Sequence, residues 1–193
     1  EYDFVLEQYN YPEGVVRYTG LCRFDNLFDY RTKRQILLMP TWRSWMWYSA
    51  ESATDCEWVK KYISLLQNTD LHRLLIENEL QLVFYPHIEA QKYMSAFYEL
   101  NLPFCISICN MSNADVQTLL KESVLLITDY SSVFFDFAYM KKPIVFYQFD
   151  GKRYRSEQYQ EGYLDYRDTF GYWCDKEDDL ILYVKDIIGN KFT

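Results

Sequence analysis

Little in this sequence suits a metal centre or a disulfide framework. There are only two His and five Cys. The cysteines stand at 22, 56, 105, 109 and 174 with no CxxC pair, an odd count without zinc-site spacing. The expectation is no metal, no cofactor and reduced thiols, as in a cytosolic setting. No apolar run reaches the roughly 18 residues of a membrane span. The opening Glu1-Tyr2-Asp3-Phe4-Val5 does not have the pattern of a signal peptide. Any membrane relationship is therefore expected to be peripheral, or to be supplied by residues outside the chain. Positive charge is also in deficit: 20 Lys and Arg against 28 Asp and Glu give a net charge of −8. That argues against nucleic acid as a partner, which needs an extended basic surface. One phosphorylated small molecule needs only a few local cations and is not excluded. Internal repeats and low-complexity segments are absent too.

What is present fits a folded α/β domain. The 193 residues are 49% hydrophobic and 25% charged, enough for one sizeable core. Glu1 is not an initiator methionine, which leaves a processed chain or a piece of a longer one as the two readings. The 19% aromatic share, with 19 Tyr, is expected mostly in packing, with some rings free to line a groove or an inter-domain face. Residues 1–30 read as an approach segment with a short strand near Val15-Val16-Arg17-Tyr18 and a turn, not a helix, from Gly20 to Asp25. Strands are predicted at Gln35–Met39, Gln81–Tyr85, Phe104–Ile108, Val124–Ile127 and Ile144–Phe149. Helices are expected from Cys56 after a Thr54-Asp55 cap, after an Asp70 cap, over Glu89–Leu100, after Asn113 or Asp115, and around Asp178–Ile188. Strands alternating with helices imply a Rossmann-like parallel sheet covered on both faces.

The densest signal is the stretch from Ser123 to Asp150. The apolar run Val124–Ile127 ends in Thr128-Asp129, and the polar step Tyr130-Ser131-Ser132 opens a helical segment that Pro143 stops. This is the grammar of a βαβ unit with hydroxyls at its strand-to-helix corner, a natural seat for the phosphates of a nucleotide-linked donor. Arg43, after Pro40, and His87, after Pro86, also follow strand ends. In an open parallel sheet such ends share one edge, where ligands bind.

Four segments in register carry a resemblance to a known family: Thr19-Gly20-Leu21-Cys22-Arg23-Phe24-Asp25, Met39-Pro40-Thr41-Trp42-Arg43, Tyr85-Pro86-His87, and Ile127-Thr128-Asp129-Tyr130-Ser131-Ser132-Val133-Phe134-Phe135-Asp136. Lys142-Pro143-Ile144-Val145-Phe146-Tyr147 and Gly162-Tyr163-Leu164-Asp165-Tyr166 are similar as well. Together they resemble the CDP-glycerol glycerophosphotransferases, the bacterial teichoic acid primases and polymerases and related capsule enzymes. The resemblance implies one half of a GT-B glycosyltransferase fold, with residues 1–193 as the C-terminal donor-binding domain of a longer two-domain enzyme. It implies transfer of glycerol phosphate from CDP-glycerol, or a related nucleotide donor, to a lipid-linked polymer acceptor, with release of CMP. It also implies work at the inner face of a bacterial plasma membrane. The N-terminal domain, which in the family carries another His acting as base, has no counterpart here. The chain by itself is then expected to bind and not to turn over.

The resemblance places His87 at the reaction and Arg43, Thr128, Ser131 and Ser132 on the donor phosphates. For each there is a plainer reading. The serines fit an ordinary helix cap, Arg43 a salt bridge and His87 a structural role. Asp129 is expected to orient the loop through backbone N–H groups. Asp136, one turn after Ser132, is expected either on the ribose hydroxyls or simply near a helix start. Arg23 and Asp25 are read as fixing the domain junction, His72 as solvated, and Lys152, Arg153 and Arg155 as a solvated charge run. The Trp42-Trp45-Trp47 loop is expected to pack on its own helices. Two other functions remain open: a sugar-nucleotide-dependent glycosyltransferase of surface polysaccharide, and a non-catalytic module.

Overall fold

The computed structural model describes residues 2–28, 30–48, 55–159 and 164–192. Its centre is a six-stranded parallel sheet: β1 (Gln35–Leu38), β2 (Gln81–Phe84), β3 (Ile106–Ile108), β4 (Leu125–Thr128), β5 (Ile144–Tyr147) and β6 (Tyr172–Cys174), in the order β3-β2-β1-β4-β5-β6. β1 pairs on one side with β2 and on the other with β4, Ile36–Leu38 lying opposite Leu125–Ile127. The strand order reverses between β1 and β4. At such a switch point the flanking loops diverge and leave a crevice beyond the strand ends.

The strands are short apolar runs because both faces are covered. Alternate side chains enter opposite cores. Ile36, Leu38, Leu82, Phe84, Leu125, Ile127, Val145 and Tyr147 belong to one core; Leu37, Val83, Leu126, Ile144 and Phe146 belong to the other. In chain order the helices are α1 (Tyr2–Gln8), α2 (Ser44–Tyr48), α3 (Glu57–Leu66), α4 (Thr69–Glu77), α5 (Met94–Tyr98), α6 (Val116–Glu122), α7 (Phe134–Tyr139), α8 (Gly151–Glu157) and α9 (Glu177–Gly189). α3, α4 and α9 seal the first face with Trp58, Tyr62, Leu66, Leu71, Leu75, Leu180 and Val184. α6 and α7 seal the second with Leu119, Leu120, Phe134 and Phe137. These stripes recur at helical spacing, so each helix has one face that the sheet can bury.

Several local expectations change. Residues 15–18 form no strand, while Cys22–Asn26 is a 3-10 helix. Asn68, not Asp70, caps α4, its side chain accepting the N–H groups of Asp70 and Leu71. Asp70 instead pairs with Arg73 on the surface. Cys56 occupies the cap position of α3, and Thr54 lies outside the described residues. The segment expected as one helix from Glu89 is a 3-10 helix, Ile88–Tyr93, followed by α5. Of the two proposed starts for α6, Asp115 is the cap, accepting the N–H of Thr118. α1, α2, α8 and β6 come as additions, α2 within the tryptophan stretch expected as a loop. Gly171 makes β6 possible, because a Cβ there would stand 2.5 Å from the Ile144 carbonyl oxygen of β5.

Candidate functional site

The corner after β4 is organised by Asp129, which is fully buried. Its Oδ1 accepts the N–H of Thr41 at 2.9 Å, the hydroxyl of Thr41 at 2.9 Å and the N–H of Tyr130 at 2.6 Å. One carboxylate oxygen thus joins the loop after β1 to the corner after β4. The Asp129 carbonyl accepts Gln148 Nε2 at 2.7 Å, and Gln148 Oε1 accepts Trp173 Nε1 at 2.9 Å. This chain of bonds extends the tie across β5 to β6.

Arg43, expected on the donor phosphates, is bound in this structure by protein groups. Its side chain is 0% exposed. Nε meets Asp150 Oδ2 at 2.5 Å and Nη2 meets Asp150 Oδ1 at 3.1 Å. Nη1 donates to the carbonyl and hydroxyl oxygens of Thr41 at 3.0 and 2.9 Å. The same nitrogen lies 2.9 Å from Asp129 Oδ2, a charge contact without the alignment of a hydrogen bond. Tyr130, Tyr154 and Phe149 wall the guanidinium at 5.0, 5.3 and 5.9 Å. Burial alone would favour loss of its proton, but the two carboxylates outweigh burial and hold its pKa above the ordinary range. The planar fork suited to phosphate is spent on protein carboxylates.

Thr128 is likewise turned inward. It is 1% exposed, and its hydroxyl donates to the Met39 carbonyl at 2.7 Å, so it joins β4 to β1 and offers no hydroxyl to the crevice. Asp136 is 6% exposed and pairs with Arg23 at 3.0 Å. Burial pushes its pKa up and Arg23 pulls it down. Arg23 also donates to the Ser132 carbonyl at 3.1 Å, so the pair fastens the Cys22–Asn26 segment under the serine corner.

Ser131 and Ser132 remain at the surface of the corner, half-buried and exposed respectively. Among the described residues, Ser131 Oγ accepts only the long, 3.5 Å approach of Val133 N–H. His87 is half-buried at the end of β2, its backbone N–H donating to the Pro40 carbonyl at 3.0 Å. Nδ1 accepts the Glu89 N–H at 3.2 Å, which assigns the proton of the neutral ring to Nε2. Burial lowers its pKa, with Glu89 and Asp129 opposing. At neutral pH His87 is thus an uncharged Nε2–H donor. Its ring lies 6.5 Å from that of Trp42, and Trp42 and Trp45 pack against the core. His72 is not simply solvated: its Nε2 contacts the Leu66 carbonyl at 2.6 Å.

Beyond the ends of β4, β5 and β6 lies a cleft of about 750 Å³, lined among others by Tyr130, Gln148, Asp150, Lys152, Arg155 and Tyr166. A smaller hollow of about 180 Å³ includes Ser132 and shares Tyr130, Arg155, Leu164 and Tyr166 with it. Tyr130 stacks on Tyr154 at 3.6 Å and is nearly perpendicular to Tyr166 at 6.0 Å. Asp150, Arg155 and the tyrosine walls were not singled out as site residues from the sequence. Yet Gln148-Phe149-Asp150 directly follows β5, so the strand-end rule that marked Arg43 and His87 applies to it equally. No cluster of His, Cys, Asp and Glu among the described residues has metal-binding geometry. Of the Gly162–Tyr166 motif, residues 162 and 163 lie outside the described residues.

Comparison with known proteins gives these features a context. The sequence profile described as CDP-glycerol:poly(glycerophosphate) glycerophosphotransferase matches residues 4–191. The minor teichoic acid biosynthesis protein GgaB of Bacillus subtilis (strain 168) is 30% identical over 178 residues, 86% of this chain and 19% of that protein. A teichoic acid poly(glycerol phosphate) polymerase of Bacillus spizizenii is 33% identical over 135 residues, 65% of this chain and 29% of that protein. The chain therefore spans less than a third of these relatives. Among solved structures, the wall teichoic acid polymerase TagF matches with a TM-score of 0.56 at 23% identity, over 86% of this chain and 38% of that one. A UDP-GlcNAc 2-epimerase from Methanocaldococcus jannaschii matches with a TM-score of 0.52 at 16% identity, over 89% of this chain and 43% of that one. At these identities the structural likenesses establish the Rossmann-like fold.

Proposed function

This chain belongs to the CDP-glycerol:poly(glycerophosphate) glycerophosphotransferase family, and from that premise we propose that it is the donor-binding part of an enzyme of teichoic acid synthesis. Its ligand is CDP-glycerol or a related cytidine diphosphate polyol. The acceptor is a hydroxyl at the end of a lipid-linked polymer, met with the help of a second domain outside these residues. The acceptor oxygen bonds to the glycerol-bearing phosphorus, the bridging P–O bond breaks, and CMP leaves. The hydroxyl proton goes to a base that the second domain supplies.

In this reading the chain's own residues bind and orient the donor. Ser131 and Ser132 offer hydroxyls to the diphosphate, and the Nε2–H of His87 donates to an oxygen that gains charge as the bridge breaks. A neutral donor suits the task, because it stabilises charge without first losing a proton. The observation that carries the reading is the shared grip of Asp129 on Thr41 and Tyr130. That grip joins the loop after β1 to the serine corner, and the Asp129 charge also reaches His87. Fixed donors of this kind need no rearrangement as the reaction proceeds. No helix of the described residues is long and apolar enough to cross a membrane. Association with the inner face of the membrane is accordingly proposed through the acceptor and the rest of the enzyme.

Calorimetric titration of the chain with CDP-glycerol, CDP-ribitol and UDP-GlcNAc tests the proposal. Saturable binding of a cytidine donor is expected, weakened on the order of tenfold by Ser131→Ala/Ser132→Ala, since a charged hydrogen bond contributes about 1.5–3 kcal/mol. Failure to bind either cytidine nucleotide, or a preference for UDP-GlcNAc, would overturn it.

A further inference from the structure

The serine corner is held loosely by its own hydrogen bonds. Phe134 N–H reaches the Ser131 carbonyl at 3.4 Å, Phe135 N–H the Ser132 carbonyl at 3.2 Å, and Val133 N–H the Ser131 hydroxyl at 3.5 Å. Each is longer than the roughly 2.9–3.0 Å at which such bonds are ordinarily made. A shorter contact comes from outside the corner. Arg23 Nη2 donates to the Ser132 carbonyl at 3.1 Å and meets Asp136 Oδ2 at 3.0 Å.

Arg23 is itself firmly placed. Its neighbours lie along α7: Phe24 stacks on Tyr139 at 4.5 Å, Phe28 meets the same ring edge-on at 6.1 Å, and the Tyr30 hydroxyl donates to the Met140 carbonyl at 3.3 Å. Leu27, among them, is buried. Asp136, buried in the first turn of α7, takes the charge of the guanidinium and fixes its place. The Ser132 carbonyl and the Val133 N–H are two sides of one planar peptide. Holding the carbonyl therefore sets the direction of that N–H, which in turn faces the Ser131 hydroxyl. One guanidinium nitrogen thus acts on both serines, through the backbone of one and the hydroxyl of the other.

We propose that Arg23 is a positioning residue for the donor. It touches no phosphate; it fixes the Ser132–Val133 peptide, and through it the Ser131 hydroxyl, in the direction the diphosphate requires. The inference rests on the donor-binding reading above and adds to it a residue that lies before the first strand. Two roles of one side chain are separable here: the pairing with Asp136 contributes to stability, and the bond to the Ser132 carbonyl orients the corner.

Asp136→Leu removes the ion pair and leaves Arg23 its Ser132 contact, so it is the background in which the two roles separate. Asp136→Asn supplies that background if Asp136→Leu does not fold. Circular dichroism and urea unfolding check each variant, and calorimetry follows binding of CDP-glycerol and of uncharged cytidine. Adding Arg23→Met is expected to leave the urea midpoint nearly unchanged and cytidine binding unaltered. CDP-glycerol affinity falls about fivefold to tenfold, the scale of one hydrogen bond. Adding Arg23→Lys instead keeps part of that affinity, since an ammonium still donates to the carbonyl. In protein that already carries Ser131→Ala/Ser132→Ala, the Arg23→Met step is expected to cost about twofold or less, because a residue acting through another is non-additive with it. Unchanged CDP-glycerol affinity on Arg23→Met shows that Arg23 serves only the ion pair, and overturns the assignment while donor binding stands. An undiminished loss without the serine hydroxyls also overturns it, because Arg23 would then meet the phosphate itself. Equal weakening of cytidine does so as well, since Arg23 would then support the nucleoside or the fold. If wild type binds no cytidine nucleotide, the donor-binding reading fails first and takes this assignment with it.

Discussion

Arg43 and Asp150 are 107 residues apart in the chain, yet their side chains meet through two contacts of 2.5 and 3.1 Å in a fully buried setting. This pairing, with Asp129 on the other side of the guanidinium, locks the loops after β1, β4 and β5 into one unit. Removing the cation leaves two carboxylates without it inside the protein. Arg43→Met is therefore expected to cost about 3–5 kcal/mol of stability, measured by urea unfolding. Arg43→Lys falls between, since it keeps the charge and loses the fork. A stable, well-folded Arg43→Met that had lost only ligand affinity would instead put Arg43 on the phosphates.

Thr128 offers a cleaner separation of stability from binding. Its hydroxyl bonds only the Met39 carbonyl among the described groups. Thr128→Val should lower stability by about 1 kcal/mol and leave CDP-glycerol affinity within twofold. A large loss of affinity in a variant of near-normal stability would return Thr128 to the phosphate site.

His87 has its pKa lowered by burial, against the pull of Glu89 and Asp129. Its NMR titration is expected to have a midpoint below 6.5, assigned by the signal missing from His87→Gln. The unfolded chain takes up the proton first as pH falls. The stability that His87 contributes is thus complete above about 6.5 and is lost as pH drops through the folded midpoint. His87→Gln, which retains an acceptor for Glu89 and N–H donors, should bind CDP-glycerol better than His87→Ala.

Lys142 titrates on the alkaline side. Burial lowers its pKa to about 8; its Nζ donates to the carbonyls of Leu120 and Lys121 at 2.9 and 2.7 Å and lies over the Tyr30 ring. Between about pH 8 and the unfolded value near 10.4, the unfolded chain holds the extra proton, so this group makes stability rise with pH. The wild-type stability minus that of Lys142→Met should climb across that window. A flat difference would mean that the folded protein keeps Lys142 charged.

The parts of the molecule that were legible in the sequence are those with local signatures. β1, β2, β4 and β5 are mostly apolar runs, and α3 and α9 have one apolar stripe each, so burial on the sheet is written into their spacing. β6 is only Tyr172–Cys174; it depends on the close approach at Gly171, which no short pattern announces. α8 opens on Gly151 and has a single buried residue, Tyr154, so it lacks a stripe to read. The strand-end rule points to one edge of the sheet but does not give the direction each side chain takes. Arg43, Thr128 and Asp136 follow or flank the expected corner, yet all three turn into the protein. Their partners Asp150, Met39 and Arg23 lie about a hundred residues away in the chain. Such pairings leave no trace in a local window.

The most direct measurement is a crystal structure of the chain with CDP-glycerol bound. The account predicts the diphosphate at the Ser131–Ser132 corner, within hydrogen-bond reach of His87 Nε2, with Arg43 still enclosed between Asp129 and Asp150. A diphosphate held directly by Arg43, or seated away from the serine corner, would contradict it.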